Sequence, residues 1–267
     1  MAAEEKNKAI LKTEKLSIGY TLKHSEKLIA SEINFEVFPG ELVAVIGANG
    51  MGKSTLLRTL SSIQIPLSGA VFLNRKNLQN IDSKELSNLI GLVLTEQPIS
   101  KNLSVYELVA LGRQPYTNWI GTLSEKDKEE VRKALKNVGI EDLAERRCYE
   151  LSDGQLQKVL IARALAQDTS LVILDEPTTH LDLYHQAYIF KLLKKLVRET
   201  KKSMIFATHE INLAIQLCDK IIILNNEKFY FGNPCELIEN GIFEQLFPSD
   251  LIQFDSNLGA FRIKSAE

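Results

Sequence analysis

Leu42-Val43-Ala44-Val45-Ile46 runs directly into Gly47-Ala48-Asn49-Gly50-Met51-Gly52-Lys53-Ser54-Thr55 and then into Leu56-Leu57-Arg58-Thr59-Leu60. The first run is apolar and of strand length, the second is glycine-rich, and the third is helix-prone. Gly47, Gly52, Lys53 and Ser54 satisfy the spacing G-x-x-x-x-G-K-[ST] between a buried strand and a helix, the context a phosphate-binding loop requires. The residue types follow from the chemistry. Glycines let backbone N–H groups close round a triphosphate with no Cβ in the way, and the helix opening at Lys53 turns its positive end toward the same anion. Lys53 is expected to reach the β- and γ-phosphates and the Ser54 hydroxyl to ligate Mg²⁺.

The 267 residues and 45% hydrophobic content suit one large α/β unit, or a core with a subdomain. With 32 basic against 34 acidic residues, the net charge of −2 provides no basic field for nucleic acid, and no nucleic-acid partner is expected. The longest apolar runs, Leu171-Val172-Ile173-Leu174 and Ile221-Ile222-Ile223-Leu224, are far shorter than the ~20 residues that cross a bilayer. Any membrane role is therefore expected to come through a partner. Residues 1–12 are polar, with no apolar segment of the kind a signal peptide carries. Cys148, Cys218 and Cys235 are odd in number and lack C-x-x-C spacing, which fits reduced cytosolic thiols.

Strands are expected at residues 9–20 and 32–38, with Pro39-Gly40 turning the chain into the buried strand ahead of Gly47. Beyond the loop come a short strand at Val71-Phe72-Leu73, a helical stretch near 83–87 and a buried strand at 89–94. From about residue 102 to 166 the pattern is helical, including 105–111 and 125–138. Strands return at 171–174, 204–207 and 221–224, spaced by an amphipathic helix whose apolar side is Ile189, Leu192, Leu193, Leu196 and Val197. The fold class expected is α/β, with a parallel, helix-covered sheet and an inserted helical subdomain.

Further candidates lie on this frame. Asp175 and Glu176 stand at the carboxyl end of the 171–174 strand, where open α/β sheets place their ligands; Asp175 suits Mg²⁺ and Glu176 the polarising of an attacking water. His209 follows the 204–207 strand at the same edge and suits a hydrogen bond to the γ-phosphate or the water. Ser152-Asp153-Gly154-Gln155 opens a long helical run, with Ser152 as N-cap and Gln155 as its capping-box partner. The same helix start is equally an anion site. Tyr20 is either a half-buried strand tyrosine or an aromatic face for adenine. His180 and His185 flank Asp182 without the carboxylate or cysteine partners of a metal site.

Taken in order, residues 47–55, Leu151-Ser152-Asp153-Gly154-Gln155, Leu174-Asp175-Glu176, Thr179-His180-Leu181-Asp182 and His209 resemble the ATP-binding subunit of ABC transporters over nearly the whole chain. The resemblance implies a P-loop NTPase-type, mainly parallel core at about 9–98 and 167–230, with an N-terminal antiparallel β region. It also implies a helical subdomain at about 99–166 and a C-terminal extension at 231–267. ATP and Mg²⁺ are the implied cofactors. The segments correspond to the Walker A loop, the signature motif, Walker B with its catalytic glutamate, the D-loop and the H-loop, and Tyr20 to the aromatic under adenine. Two copies would pair head-to-tail, each ATP lying between the phosphate loop of one and Ser152, Asp153, Gly154 and Gln155 of the other.

Two departures stand out. The family signature usually reads Leu-Ser-Gly-Gly-Gln, where this chain has Asp153. The family's Q-loop glutamine aligns with Thr95 in Leu94-Thr95-Glu96-Gln97-Pro98, leaving Gln97 two residues late as the candidate metal-side residue. Val105, Leu108 and Val109 form an apolar stripe, and Gly112 and Pro115 are expected to end that helix. The stretch Glu107-Leu108-Val109-Ala110-Leu111-Gly112-Arg113-Gln114-Pro115-Tyr116 resembles importer subunits for iron–siderophore complexes, haem and cobalamin. That narrower resemblance implies two permease subunits, an extracytoplasmic binding protein and a place on the cytoplasmic face of the cell membrane. A soluble ABC ATPase and a low-turnover nucleotide-dependent scaffold are the competing readings; intact Lys53, Asp175, Glu176 and His209 weigh against the scaffold.

Overall fold

The computed structural model describes residues 8–22, 25–94, 102–225, 228–248 and 250–264. Its centre is a six-stranded sheet of order β10-β9-β3-β8-β7-β6. Here β3 is Leu42–Ile46, β6 Ile90–Val93, β7 Leu171–Asp175, β8 Ser203–Ala207, β9 Lys220–Asn225 and β10 Lys228–Gly232. The strands from β9 to β6 run parallel, and β10 is an antiparallel edge that sequence reading did not assign. A second, antiparallel sheet of order β2-β1-β4-β5 comprises β1 (Leu11–Leu22), β2 (Ser25–Val37), β4 (Ser68–Leu73) and β5 (Lys76–Asn77). This is an α/β P-loop NTPase fold with an antiparallel β region. β2 begins seven residues before the strand expected at Glu32. Positive φ at Lys15 and Glu32 marks irregularities in the β1–β2 pairing, which break the alternation that sequence reading follows.

The central strands are buried on both faces, so their continuous apolar runs divide by parity. Leu42, Ala44 and Ile46 of β3 join one core, with Val172 and Leu174 of β7 and Met204 and Phe206 of β8. Val43, Val45, Leu171, Ile173 and Ile205 join the other, against the antiparallel sheet and helix α1 (Lys53–Leu60). A period-two strand between two covers takes apolar side chains on both faces, and the one polar residue that opens β8, Ser203, is buried with its hydroxyl donating to Phe38 O at 2.9 Å.

Helices α2 (Ser83–Ser87), α3 (Val105–Ala110), α4 (Glu125–Val138) and α5 (Asp153–Ala166) precede β7. The next three are α6 (Leu183–Thr200), α7 (Ile211–Leu217) and α8 (Pro234–Glu239). Local capping fixes several starts: Ser104, Ser124, Ser152 and Asn233 each accept a bond from a residue three later, with Glu107, Asp127, Gln155 and Glu236 returning it. The expected stop at Gly112 is corrected. α3 passes at Leu111 into a 3₁₀ turn ending at Tyr116, with Pro115 inside it, and Gly112 has no positive φ. A Cβ at Gly112 would stand 2.2 Å from the Arg163 carbonyl oxygen, so the residue serves a close crossing of α5. β11 (Ile252–Asp255) and β12 (Ala260–Ile263) form a hairpin on α7, where Asn212 Oδ1 accepts from the Phe261 N–H at 2.9 Å.

Candidate nucleotide site

Because β3, β8 and β7 are adjacent and parallel, the segments leaving their carboxyl ends meet at one edge of the sheet. From β3 comes the loop 47–52, from β7 the pair Asp175-Glu176 and from β8 Thr208-His209. Three stretches that are far apart in sequence thus become neighbours, as open α/β sheets generally arrange their ligand sites.

The loop closes on itself. The Met51 N–H donates to the Ala48 oxygen at 3.3 Å, and the Lys53 ammonium donates to Gly47 O at 3.0 Å and Ala48 O at 3.4 Å. Gly52 caps α1 in the left-handed region, φ 93°, and a Cβ there would lie 2.3 Å from Ile29 Cγ2 on β2. Both facts demand glycine. Ala48, Asn49 and Gly50 are exposed, while Lys53 is buried and Ser54 half-buried. Burial lowers the Lys53 pKa, against the opposing charges of Glu176 and Asp175.

Ser54 Oγ donates to Asp175 Oδ1 at 3.1 Å. Burial raises the Asp175 pKa, helped by the nearby Glu176 charge and opposed by the Ser54 bond and by Arg58 and Lys53. Glu176, one residue on, has φ 48° and both carboxylate oxygens engaged: His209 Nε2 lies 2.7 Å from Oε1, and Thr179 Oγ1 donates to Oε2 at 3.0 Å. Burial pushes the Glu176 pKa up, yet the His209 and Thr179 bonds with the His209 and Lys53 charges outweigh it and hold the group below the usual carboxylate range. Thr179 is a partner that sequence reading missed, because it pairs three residues away around a bend rather than along an element.

Tyr20, Asn49, Gly50, Lys53, Thr55 and Glu176 line a cavity of about 270 Å³ beside the loop. The Tyr20 hydroxyl is 2.8 Å from Thr55 Oγ1, which fixes the ring at the cavity wall and leaves Tyr20 41% exposed. Lys27 and Ile29 of β2 also line the cavity. Their signal was the register of the β1–β2 hairpin, in which Tyr20 faces Lys27.

Ser152, Asp153, Gly154, Gln155 and Asp182 form a different cluster, and none of the five lines this cavity. Ser152 Oγ accepts from Gln155 N at 3.3 Å and Gln155 Oε1 from Ser152 N at 3.0 Å. Asp153 is exposed in the first turn of α5. Asp182 caps α6 and carries His185. Gln97 lies outside the described residues. Tyr116 donates to Gln167 O at 3.0 Å and lies beneath Arg113, whose Cζ is 3.8 Å from the ring centre.

Residues 30–179 match the family described as ABC transporter. The chain belongs to that family. It is 36% identical to the petrobactin import ATP-binding protein of Bacillus anthracis, over 85% of this chain and 84% of the relative. It is 37% identical to the ferric enterobactin transport ATP-binding protein of Escherichia coli, over 90% of this chain and 87% of the relative. An ATP-binding cassette solved as a dimer in a post-hydrolysis state with ADP and Pi superposes with a TM-score of 0.71 at 28% identity, covering 84% of this chain and 98% of that one. As a member of the ABC family the protein is an ATPase whose cofactor is ATP. Among the described residues no helix is long and apolar enough to cross a membrane.

Proposed function

We propose that this chain is the motor subunit of an importer for iron–siderophore complexes, pairing head-to-tail with a second copy beneath two membrane permease subunits on the cytoplasmic face. An extracytoplasmic binding protein would deliver the chelate. The observation that carries the reading is the meeting of Lys53-Ser54, Asp175-Glu176 and His209 at one sheet edge, with Ser152, Asp153, Gly154 and Gln155 set apart and free to serve another copy's nucleotide. The names of the similar proteins support the substrate class.

In this reading the Lys53 ammonium, poorly solvated on two carbonyls, exchanges them for phosphate oxygens, a stronger charge-assisted partner. Glu176 stays ionised at neutral pH, so it can orient water and accept its proton, while His209 holds the carboxylate and is placed to follow the γ-phosphate. Tyr20 offers its exposed face to adenine. The donors fit Mg²⁺: Ser54 Oγ and Asp175 Oδ1 are hard oxygens, and magnesium usually takes one or two carboxylates plus phosphate oxygens and waters. Bound there, the ion would neutralise charge on the β- and γ-phosphate oxygens.

In this reading the permease seats on the concavity of about 400 Å³ lined by Ile63, Leu86, Leu92, Leu111 and Pro115, and Trp119 and Ile120, which follow Pro115 in the chain, are 94% and 68% exposed. Tyr106 packs on the core and Tyr116 supports Arg113, so an acid at either also strains the fold; Trp119→Asp tests the surface without that effect. Purified with its permease in vesicles, the complex should take up a ferric siderophore with ATP. Lys53→Ala should lose nucleotide binding, Glu176→Gln should bind without turnover, and Trp119→Asp should lose uptake while keeping ATP affinity. Stimulation by haem, cobalamin, a sugar or an amino acid, with none by any ferric chelate, would remove the substrate assignment.

A further inference from the structure

One histidine outside the nucleotide cavity is held from two sides. The Asp182 carboxylate accepts from the His185 N–H at 2.8 Å, and both of its oxygens lie 2.9 Å from His185 Nδ1. The ring is thereby turned with Nδ1 toward the cap of α6 and its opposite edge toward α5. There Cδ2 stands 3.0 Å from the point a Cβ would occupy on Gly154, and Nε2 3.7 Å from it. The Tyr184 ring meets the imidazole edge-on, with centroids 5.5 Å apart. Gly154 is buried, and its helix begins with the capping box of Ser152 and Gln155. A side chain that holds the capping carboxylate of one helix and fills the space beside the first turn of another joins the two starts.

We propose that His185 is a positioning residue that clamps residues 179–182 to the first turn of α5, so that Asp182 and Ser152 to Gln155 move as one block when a nucleotide is closed between two copies. This rests on the head-to-tail reading above. The imidazole does not touch the nucleotide of its own chain; it sets the angle at which its chain's α5 start is offered to the other copy. The same contact bears on Gly154, since a Cβ there would stand 3.0 Å from Cδ2 and oblige the ring to give by a few tenths of an ångström.

The test uses the full chain carrying Glu176→Gln, with MgATP-driven dimerisation followed by sedimentation and ATP binding to the monomer by fluorescence of a labelled nucleotide. His185→Ala should weaken dimerisation at least tenfold and leave monomer ATP affinity within twofold, because the phosphate loop lies in the other cluster. His185→Asn, whose amide nitrogen takes the place of Nδ1 on Asp182, should recover most of the loss. Gly154→Ala should weaken the dimer alone and far less in the His185→Ala background, where the ring it strikes is gone. Thermal unfolding of each variant checks the fold. Strictly additive effects of the two substitutions, or an unchanged dimer in His185→Ala, would overturn the inference while leaving the function standing. Absence of any ATP-dependent dimer in the parent would overturn both.

Discussion

Asp175 and Glu176 are neighbours in sequence and opposites in ionisation. Asp175 is 8% exposed and its charged form is penalised, whereas Glu176 is surrounded by donors and its charged form is favoured. The sign at Glu176 fixes a pH window. Its folded pKa lies below the unfolded value of 4.5, so the stabilisation is complete above pH ~4.5 and is lost as pH falls through the folded value. Glu176→Gln should therefore lower the urea midpoint at pH 7, and the gap to the parent should close in acid. A gap constant from pH 7 to pH 3 would show that the loss comes from altered hydrogen bonding and not from charge. Asp175→Asn runs the other way: it removes a desolvated carboxylate and keeps an acceptor for Ser54. The nucleotide-free protein should gain on the order of 1 kcal/mol, while the magnesium dependence of ATP binding disappears. A melting temperature below the parent's would contradict the first expectation, and an unchanged magnesium titration the second.

At the level of elements, the crossing of α3 and its 3₁₀ continuation over α5 is tied by Arg113. Its Nε donates to Asp127 Oδ1 at 2.9 Å, with side chains only 3% and 6% exposed, and its Nη1 donates to Ala166 O at 2.7 Å. Three helical segments meet on one guanidinium. Ser124 bonds hold Asp127 below the usual carboxylate range against burial, with Arg113 adding to them. Removing one partner leaves a buried charge uncompensated, which is the costly case. Arg113→Met should destabilise by about 3–5 kcal/mol in chemical denaturation, and adding Asp127→Asn should restore part of it. Loss below ~1 kcal/mol would mean that water replaces the guanidinium. The helix and its apolar stripe are legible in the sequence, whereas Gly112, expected to stop the helix, permits the crossing instead.

For the whole molecule, the separation of the two clusters is the main fact. A chain that holds Lys53 and Glu176 at one place and Asp153 at another completes its site with a second copy in the proposed dimer. There Asp153 would face a γ-phosphate. At a separation of about 5 Å and effective ε near 20, one charge pair repels by roughly 3 kcal/mol, more than the ~0.3–1 kcal/mol an acid contributes at an exposed helix start. Asp153→Gly should therefore tighten the MgATP dimer in the Glu176→Gln background and slightly lower the stability of the monomer. Unchanged sedimentation would place the carboxylate away from the phosphate.

Sequence alone determined whatever depends on neighbours within a few residues. The loop at 47–55 between strand and helix, the acidic pair Asp175-Glu176 after the apolar run at 171–174, the box of Ser152 with Gln155 and the extent of α4 are local, because spacing and capping act over one or two turns. Tertiary structure decided what depends on strand order and register. The β3-β8-β7 adjacency brings His209 to Glu176, the β1–β2 pairing brings Ile29 against Gly52 and fixes Lys27 beside Tyr20, and the α5–α6 packing lays His185 on Gly154. These contacts join residues from 7 to 33 positions apart, and no propensity or period carries information about them. They are set by which buried faces fit together once the sheet has formed.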